Sequence, residues 1–334
     1  MDRYMKPLYI LLFCALLMVP ACRRPDAGTV VEIDRIDRLW TPDADTSQTA
    51  VLAAVSDLCS RYADFAPMYL ERLLGVSPLD TAAFVGRYRM FARDSLVRML
   101  YRKVQAVYPG LDRESRALAA AGRRYLSAFP DDTWPQPVAV VSGLDASVMT
   151  SDRVLGLALD KYLGADEPLY RQLGYAAYQL RRMTPEALVP EAVRAWIYAS
   201  HPMARQTGTL LEAMVYEGKV ACAVAYCCPS VPDSVLFGFS DAQIRWCREA
   251  RAAVWDVLVR EEMLYITGEA SVRRMLAPAP FASRFSAEAP GQLLCWVGYD
   301  LVRSYLRRHR KCSMQELFAL DDAQEILREA RYRP

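Results

Sequence analysis

Apolar residues at helical spacing dominate this chain, and that periodicity restricts its fold more than any other feature. It predicts helices over residues 47–74, 80–108, 112–129, 168–182, 190–200, 209–228, 240–266, 291–309 and 313–331. Pro67 is expected to bend or interrupt the first of them. The valine-rich stretch QPVAVVSGLDASVMTSDRVLGLALDKYLG predicts two or three short strands, and VVEIDRIDRLW predicts a further strand and a turn. The sequence therefore predicts an α+β fold, predominantly α-helical, with one small β-sheet.

Composition restricts the class of protein. The chain has 334 residues, of which 53% are hydrophobic, so it can bury a sizeable core. Its formal net charge is only +2, which gives no electrostatic basis for binding nucleic acid. The sequence thus indicates a globular protein without a nucleic-acid partner.

The N-terminus resembles a bacterial lipoprotein signal. Arg3 and Lys6 precede an apolar run that is short for a membrane span, and the run ends in Val19-Pro20-Ala21-Cys22. We predict a signal peptide over 1–21, acylation of Cys22, a tether over 22–30 and a single domain over 31–334. The alternative is an ordinary signal peptide that leaves Cys22 unmodified.

Acylation of Cys22 would anchor the protein in the cell envelope. Arg23 follows the cysteine, whereas an aspartate there would favour retention in the inner membrane. We therefore expect an outer-membrane location, facing the periplasm or the surface.

The remaining cysteines show no zinc-binding pattern. Seven are left after the signal peptide and Cys22, an odd number that leaves at least one thiol free. No C-x-x-C pair occurs, and several of the cysteines lie in apolar helical patterns. A structural zinc cluster is not expected, and no cofactor is predicted.

Glu217 raises the question of a catalytic metal. It is followed by Gly218 in a predicted helix, and a helix of this kind supplies the third zinc ligand in many metallopeptidases, after an H-E-x-x-H helix. That first motif is missing here, because the chain has only two histidines, His201 and His309, which are far apart. Counting back from Glu217 reaches Trp196, which cannot bind a metal. Glu217 is therefore either a partly buried helix residue neutralised by a neighbour or a vestigial ligand.

Other candidates for chemistry are weaker. His201 precedes Pro202 at a predicted helix end, where capping or exposure is its expected role. Asp160 and Asp166 could form an acid pair, although residues in such positions more often serve at helix ends and turns. No G-x-S-x-G sequence is present.

Four segments in series are similar to the GldB-type gliding-motility lipoproteins of the Bacteroidota. They are VVSGLDASVMTSDRVLGLALDKYLGADEPLY, LLEAMVYEGKVACAVAYCCP, IRWCREARAAVWDVLVREEMLY and APGQLLCWVGYDLVRSYLRRH, and the closing EILREARYRP completes the order. That family in turn resembles predicted zinc peptidases. The resemblance implies a zincin-like fold that has lost its catalytic motif. Glu217 would then mark a vestigial ligand position with no bound metal, and Trp196 would stand at the lost histidine position, facing it.

Two functions remain open at this point. One is a non-enzymatic envelope lipoprotein that binds another envelope protein. The other is a metal-dependent hydrolase with atypical ligands, for which Glu217, Asp160 and His201 are the candidates. Separately, Gly291 and Gly298 lie seven residues apart, which predicts close approach of another helix on one face of the helix over 291–309.

Overall fold

The computed structural model describes residues 32–203, 208–278 and 284–334. Residues 31–334 form one compact unit. The predicted signal peptide and the whole predicted tether, which includes Cys22, lie outside the described residues. Within the described residues, no helix is both long and apolar enough to cross a membrane.

Helices make up most of this unit, and four short strands form one sheet. The strands are β1 (Asp34–Arg35), β2 (Gln136–Val140), β3 (Val148–Thr150) and β4 (Val154–Ala158). The helices that precede β2 are α1 (Ile36–Leu39), α2 (Gln48–Arg61), α3 (Ala66–Leu74), α4 (Thr81–Arg93), α5 (Ser95–Val107) and α6 (Asp112–Ala128). Those that follow β4 are α7 (Pro168–Gln172), α8 (Ala177–Leu180), α9 (Leu188–Ser200), α10 (Leu210–Cys227), α11 (Asp233–Phe237), α12 (Asp241–Arg260), α13 (Glu269–Leu276), α14 (Leu293–Arg308), α15 (Met314–Ala319) and α16 (Ala323–Ala330).

The sheet has the order β1-β2-β4-β3. β1 and β4 both run parallel to β2, and β3 runs antiparallel to β4. Side chains of β2 and the residue after it alternate between two hydrophobic clusters: Val138 and Val140 join the one built with α2–α4, while Ala139 and Val141 join the larger one. Both faces of the sheet are therefore covered, which explains its continuous apolar sequence.

The predicted α+β class and the small sheet are confirmed, but several predicted helices are divided. Asp94 ends α4 and caps α5 through bonds from the amides of Leu96 and Val97, so the helix predicted over 80–108 is two helices. Asp322 caps α16 in the same way and divides the predicted closing helix. An aspartate bound to free amides starts a new helix more favourably than it continues an old one.

Other boundaries also differ from the prediction. The helix predicted over 168–182 is the pair α7 and α8, and the one predicted over 240–266 ends at Arg260. The predicted break near Pro67 is confirmed, because the proline lies in the first turn of α3. The predicted turn after β1 is instead the short helix α1.

Helices α10 and α14 form the centre of the larger core and pack along each other. Their backbones touch where glycines meet. A Cβ at Gly218 would clash with the carbonyl oxygen of Gly298, and a Cβ at Gly298 would clash with the Met214 carbonyl. The predicted close approach at Gly298 is thus confirmed, but its partner is Gly218. Gly291 lies before α14 begins.

Candidate functional site

Glu217 lies at the contact between α9 and α10. The hydroxyl group of Tyr198 on α9 donates a hydrogen bond to the Glu217 carboxylate over 2.6 Å. Burial, followed by the Glu217 charge and this bond, raises the pKa of Tyr198 well above its ordinary value. Tyr198 is therefore a neutral donor, and the side chain bonded to the partly buried Glu217 is a hydroxyl group of a neighbouring helix.

Trp196 does not supply that contact. Its indole nitrogen donates to the carbonyl oxygen of Thr133 over 3.2 Å. Trp196 and Tyr198 are two residues apart, so their side chains leave α9 about 200° apart around its axis. The expectation that Trp196 faces Glu217 is corrected: the α9 side chain bonded to Glu217 is Tyr198. The assignment of Glu217 as a vestigial ligand, with Trp196 at a lost histidine position, stays a prediction.

Arg194 lies one turn before Tyr198 and completes the cluster. One of its terminal nitrogens donates to the carbonyl oxygen of Leu236 over 2.8 Å, while its buried Nε has no hydrogen-bond partner. Burial lowers the pKa of Arg194, but the nearby Tyr198, Glu191 and Glu217 outweigh it and raise the pKa overall. The guanidinium therefore stays charged and offsets the Glu217 carboxylate.

An ion pair between Arg182 and Glu191 extends this cluster. Arg182 binds Glu191 over 2.5 Å and donates to the side-chain oxygen of Gln292 over 2.8 Å. Nearby, burial is the first cause that raises the pKa of the Cys295 thiol, and the Glu217 charge is the second. The cluster is thus a charge-balanced network with an unreactive thiol beside it.

The other proposed ligands bind elsewhere. The carboxylate of Asp160 is fully buried and accepts bonds from the amides of Ser142 and Leu144, 2.9 and 2.6 Å away. It holds a turn in which Leu144 has a φ of 66°, so its expected role as a turn residue is confirmed. Asp166 is exposed and pairs with Arg171, not with Asp160.

His201 follows the last residue of α9, as expected, and its Nε2 lies 2.8 Å from Asp132. In the part of the chain that the structure describes, no three His, Cys, Asp or Glu side chains converge to hold a metal ion. Glu217, Asp160 and His201 therefore do not form the metal site that the hydrolase hypothesis requires. The residues present do not fit a catalytic zinc ion, since the neighbours of Glu217 are a neutral hydroxyl and a guanidinium.

A groove of about 700 Å³ lies between the end of α9, α10 and the two closing helices. We call it the α10–α16 groove. Its aromatic and aliphatic walls include Phe129, Val215, Tyr216, Phe318 and Leu320. Its polar lining residues are His201, Glu212, Lys219, Gln315, Asp321 and Asp322.

Charge in the α10–α16 groove is predominantly acidic. Lys219 is 7% exposed and donates to the carbonyl oxygen of Leu320, and burial lowers its pKa while Asp321 partly offsets that shift. Asp321 and Asp322 are exposed at the groove. A buried amine already bonded to the protein is poorly placed to attract an anion, so the accessible charge is negative.

Sequence reasoning missed Arg194, Tyr198 and the groove. Arg194 and Tyr198 lie four residues apart on one helix face, where Tyr198 bonds to Glu217 on α10 and Arg194 to the Leu236 carbonyl on α11. Their residue types are equally common on exposed faces. All seven described cysteines are unpaired, and five of them are buried, which agrees with their expected role as small apolar residues.

The fold and the site define a helix-dominated α+β protein with a partly buried charged network and, separately, an open groove. The sequence matches the family model described as gliding motility protein GldB over residues 25–334. The chain therefore belongs to the GldB family. No curated protein and no solved structure gave a significant match.

Proposed function

We propose that this protein is a lipid-anchored component of the cell envelope, attached through Cys22, that acts without enzymatic activity by binding another envelope protein. Membership in a gliding-motility family supports a role in envelope machinery. Acylation of Cys22 is the prediction from the lipoprotein signal (lipobox) that ends in Val19-Pro20-Ala21-Cys22. The outer-membrane location is the prediction from Arg23, which follows the cysteine.

The observation that supports a non-enzymatic role is that the Glu217 carboxylate is hydrogen-bonded within the protein. A catalytic or metal-binding carboxylate needs free acceptor capacity facing an open site. Here Tyr198 donates to Glu217 at 2.6 Å, and the charge of Arg194 acts on it. The carboxylate is therefore used inside the protein as a contact between α9 and α10.

The α10–α16 groove is the proposed binding site. Its size suits several side chains of a partner segment, and its walls combine aromatic and aliphatic surface. Asp321 and Asp322 add accessible negative charge. The groove therefore favours an envelope protein that presents an apolar side chain beside a lysine or arginine.

Glu217→Gln is expected to leave function intact. The amide side chain would keep an acceptor for the Tyr198 hydroxyl group, and a binding protein does not need the carboxylate for chemistry. The measurement is complementation of a strain that lacks this chain, with Glu249→Gln on the exposed face of α12 as the matched control.

Purified wild-type protein is expected to contain far less than one zinc per chain. Stoichiometric zinc, or loss of complementation by Glu217→Gln alone, would support the hydrolase instead.

Asp321→Lys is expected to abolish complementation while the protein stays folded. The substitution reverses an exposed charge at the groove, where a basic partner segment would bind. Glu329→Lys, on α16 but outside the groove lining, is the control, and its exposed ion pairs are worth little. Equal complementation by both variants would exclude the groove as the partner site.

A further inference from the structure

Helices α4 and α5 carry an excess of positive charge. Between Thr81 and Val107 the sequence has six basic residues, Arg87, Arg89, Arg93, Arg98, Arg102 and Lys103, against one acidic residue, Asp94. Asp94 caps α5 and keeps its charge, so the net charge of this segment is +5. We call α4, α5 and the turn between them the basic hairpin.

Few of these charges are neutralised within the protein. Arg98 pairs with Asp43 and Lys103 with Glu167. The four remaining arginines have no carboxylate within 4.0 Å among the described residues. Arg87 and Arg89 donate to backbone carbonyls, of Leu74 and Thr46, which restrains their side chains without cancelling their charge.

Exposed apolar side chains lie among these arginines. Met90 is 63% exposed and belongs to the same outer face of α4 as Arg89 and Arg93. Leu79, two residues before α4 begins and next to the capping residue Asp80, is 92% exposed. Arginines combined with exposed large apolar side chains on a helix surface are typical of contact with the headgroup region of a membrane.

The start of the folded unit runs over the basic hairpin. The Tyr101 hydroxyl on α5 donates to the carbonyl oxygen of Trp40 over 2.8 Å, and the Tyr88 hydroxyl on α4 donates to that of Thr41 over 2.7 Å. Arg38 donates to the carbonyl oxygen of Pro109, just beyond α5. The hairpin is thus packed against the first described residues of the chain.

Chain length then limits how far this surface can be from a lipid anchor. Cys22 and Glu32 are ten residues apart, and ten residues span at most about 35 Å when fully extended. This step rests on the proposed acylation of Cys22. An anchor there keeps the start of the folded unit within about 35 Å of the bilayer surface, so the hairpin that packs on it is within reach of the lipid.

We propose that the basic hairpin is a membrane-contacting surface that binds the anionic headgroups of phospholipids in the bilayer that holds the anchor. Unpaired arginines supply electrostatic attraction, and Met90 and Leu79 supply apolar contact with the interface. The contact orients the folded unit at the membrane, with the basic hairpin toward the lipid.

Sedimentation with vesicles tests this surface independently of acylation. Residues 31–334 form one compact unit that contains both hydrophobic clusters, so this part of the chain can be purified without Cys22. Its binding is compared between vesicles of phosphatidylcholine alone and vesicles that also contain phosphatidylglycerol. We expect binding only to the latter, and binding that weakens as salt is added.

Paired charge reversals locate the contact. Arg93→Glu with Arg102→Glu is expected to weaken binding to the anionic vesicles at least tenfold. Arg116→Glu with Arg123→Glu, two exposed positions on α6, makes the same change in net charge and is expected to leave binding within about twofold of wild type. Melting curves establish that all variants are folded.

Three outcomes would overturn the proposal: no binding of wild type to anionic vesicles, equal binding to both kinds of vesicle, or equal loss in both double variants. The last would show attraction by net charge without a defined surface. None of them bears on acylation of Cys22, which is absent from the tested chain. Conversely, Cys22 could prove not to be acylated while residues 31–334 still bind anionic vesicles. The proposed lipid anchor would then be wrong, and the basic hairpin would remain a lipid-binding surface.

Discussion

Gly298→Leu is expected to lower the free energy of unfolding by more than about 2 kcal/mol. Gly298 lies where α14 crosses α10, and a Cβ there would meet the carbonyl carbon of Met214 at 2.7 Å, with its oxygen closer still. The obstacle is backbone, which cannot rotate away as a side chain can. The two helices would have to separate, and the core between them would lose its close packing.

Urea unfolding of the wild type and the variant measures this effect. Gly86→Leu is the matched control, because Gly86 is also within a helix but a Cβ there meets nothing within 4 Å. The control is expected to be neutral or to stabilise by up to about 1 kcal/mol, since leucine favours helix over glycine. Equal unfolding midpoints for Gly298→Leu and wild type would mean that α10 and α14 do not touch at this glycine.

Cys22→Ala is expected to abolish incorporation of a fatty-acid analogue into the protein in cells. The thiol is the only acyl acceptor that the lipobox provides, and the described helices offer no membrane span in its place. The label is the appropriate readout, because an uncleaved signal peptide could itself hold the protein at the membrane.

Cys14→Ala is the control for this experiment. It replaces another cysteine of the predicted signal peptide and leaves Val19-Pro20-Ala21-Cys22 unchanged, so labelling is expected to persist. Labelling of Cys22→Ala at the level of the wild type would show that Cys22 is not the acylated residue, and the anchor would have to be abandoned.

The amino-acid sequence by itself determined the type and approximate place of the main elements. Helices α10 and α14 and strands β2 and β4 follow from the spacing of apolar residues, which reflects what each segment can bury. The capping box of Ser313 and Glu316 was also predictable and is present. The divisions at Asp94 and Asp322 were missed because aspartate is tolerated inside a helix as well as at its start.

Only the tertiary structure decided which side chains meet. The sequence indicated that Glu217 needs a neutralising partner, but whether Trp196 or Tyr198 faces it depends on how α9 is rotated against α10, and one further residue along a helix turns a side chain by about 100°. The α10–α16 groove likewise joins Phe129, Lys219 and Asp321, which are far apart along the chain. Local periodicity records the face that each helix buries, whereas contacts between distant segments depend on how all the buried faces pack together, which no single segment encodes.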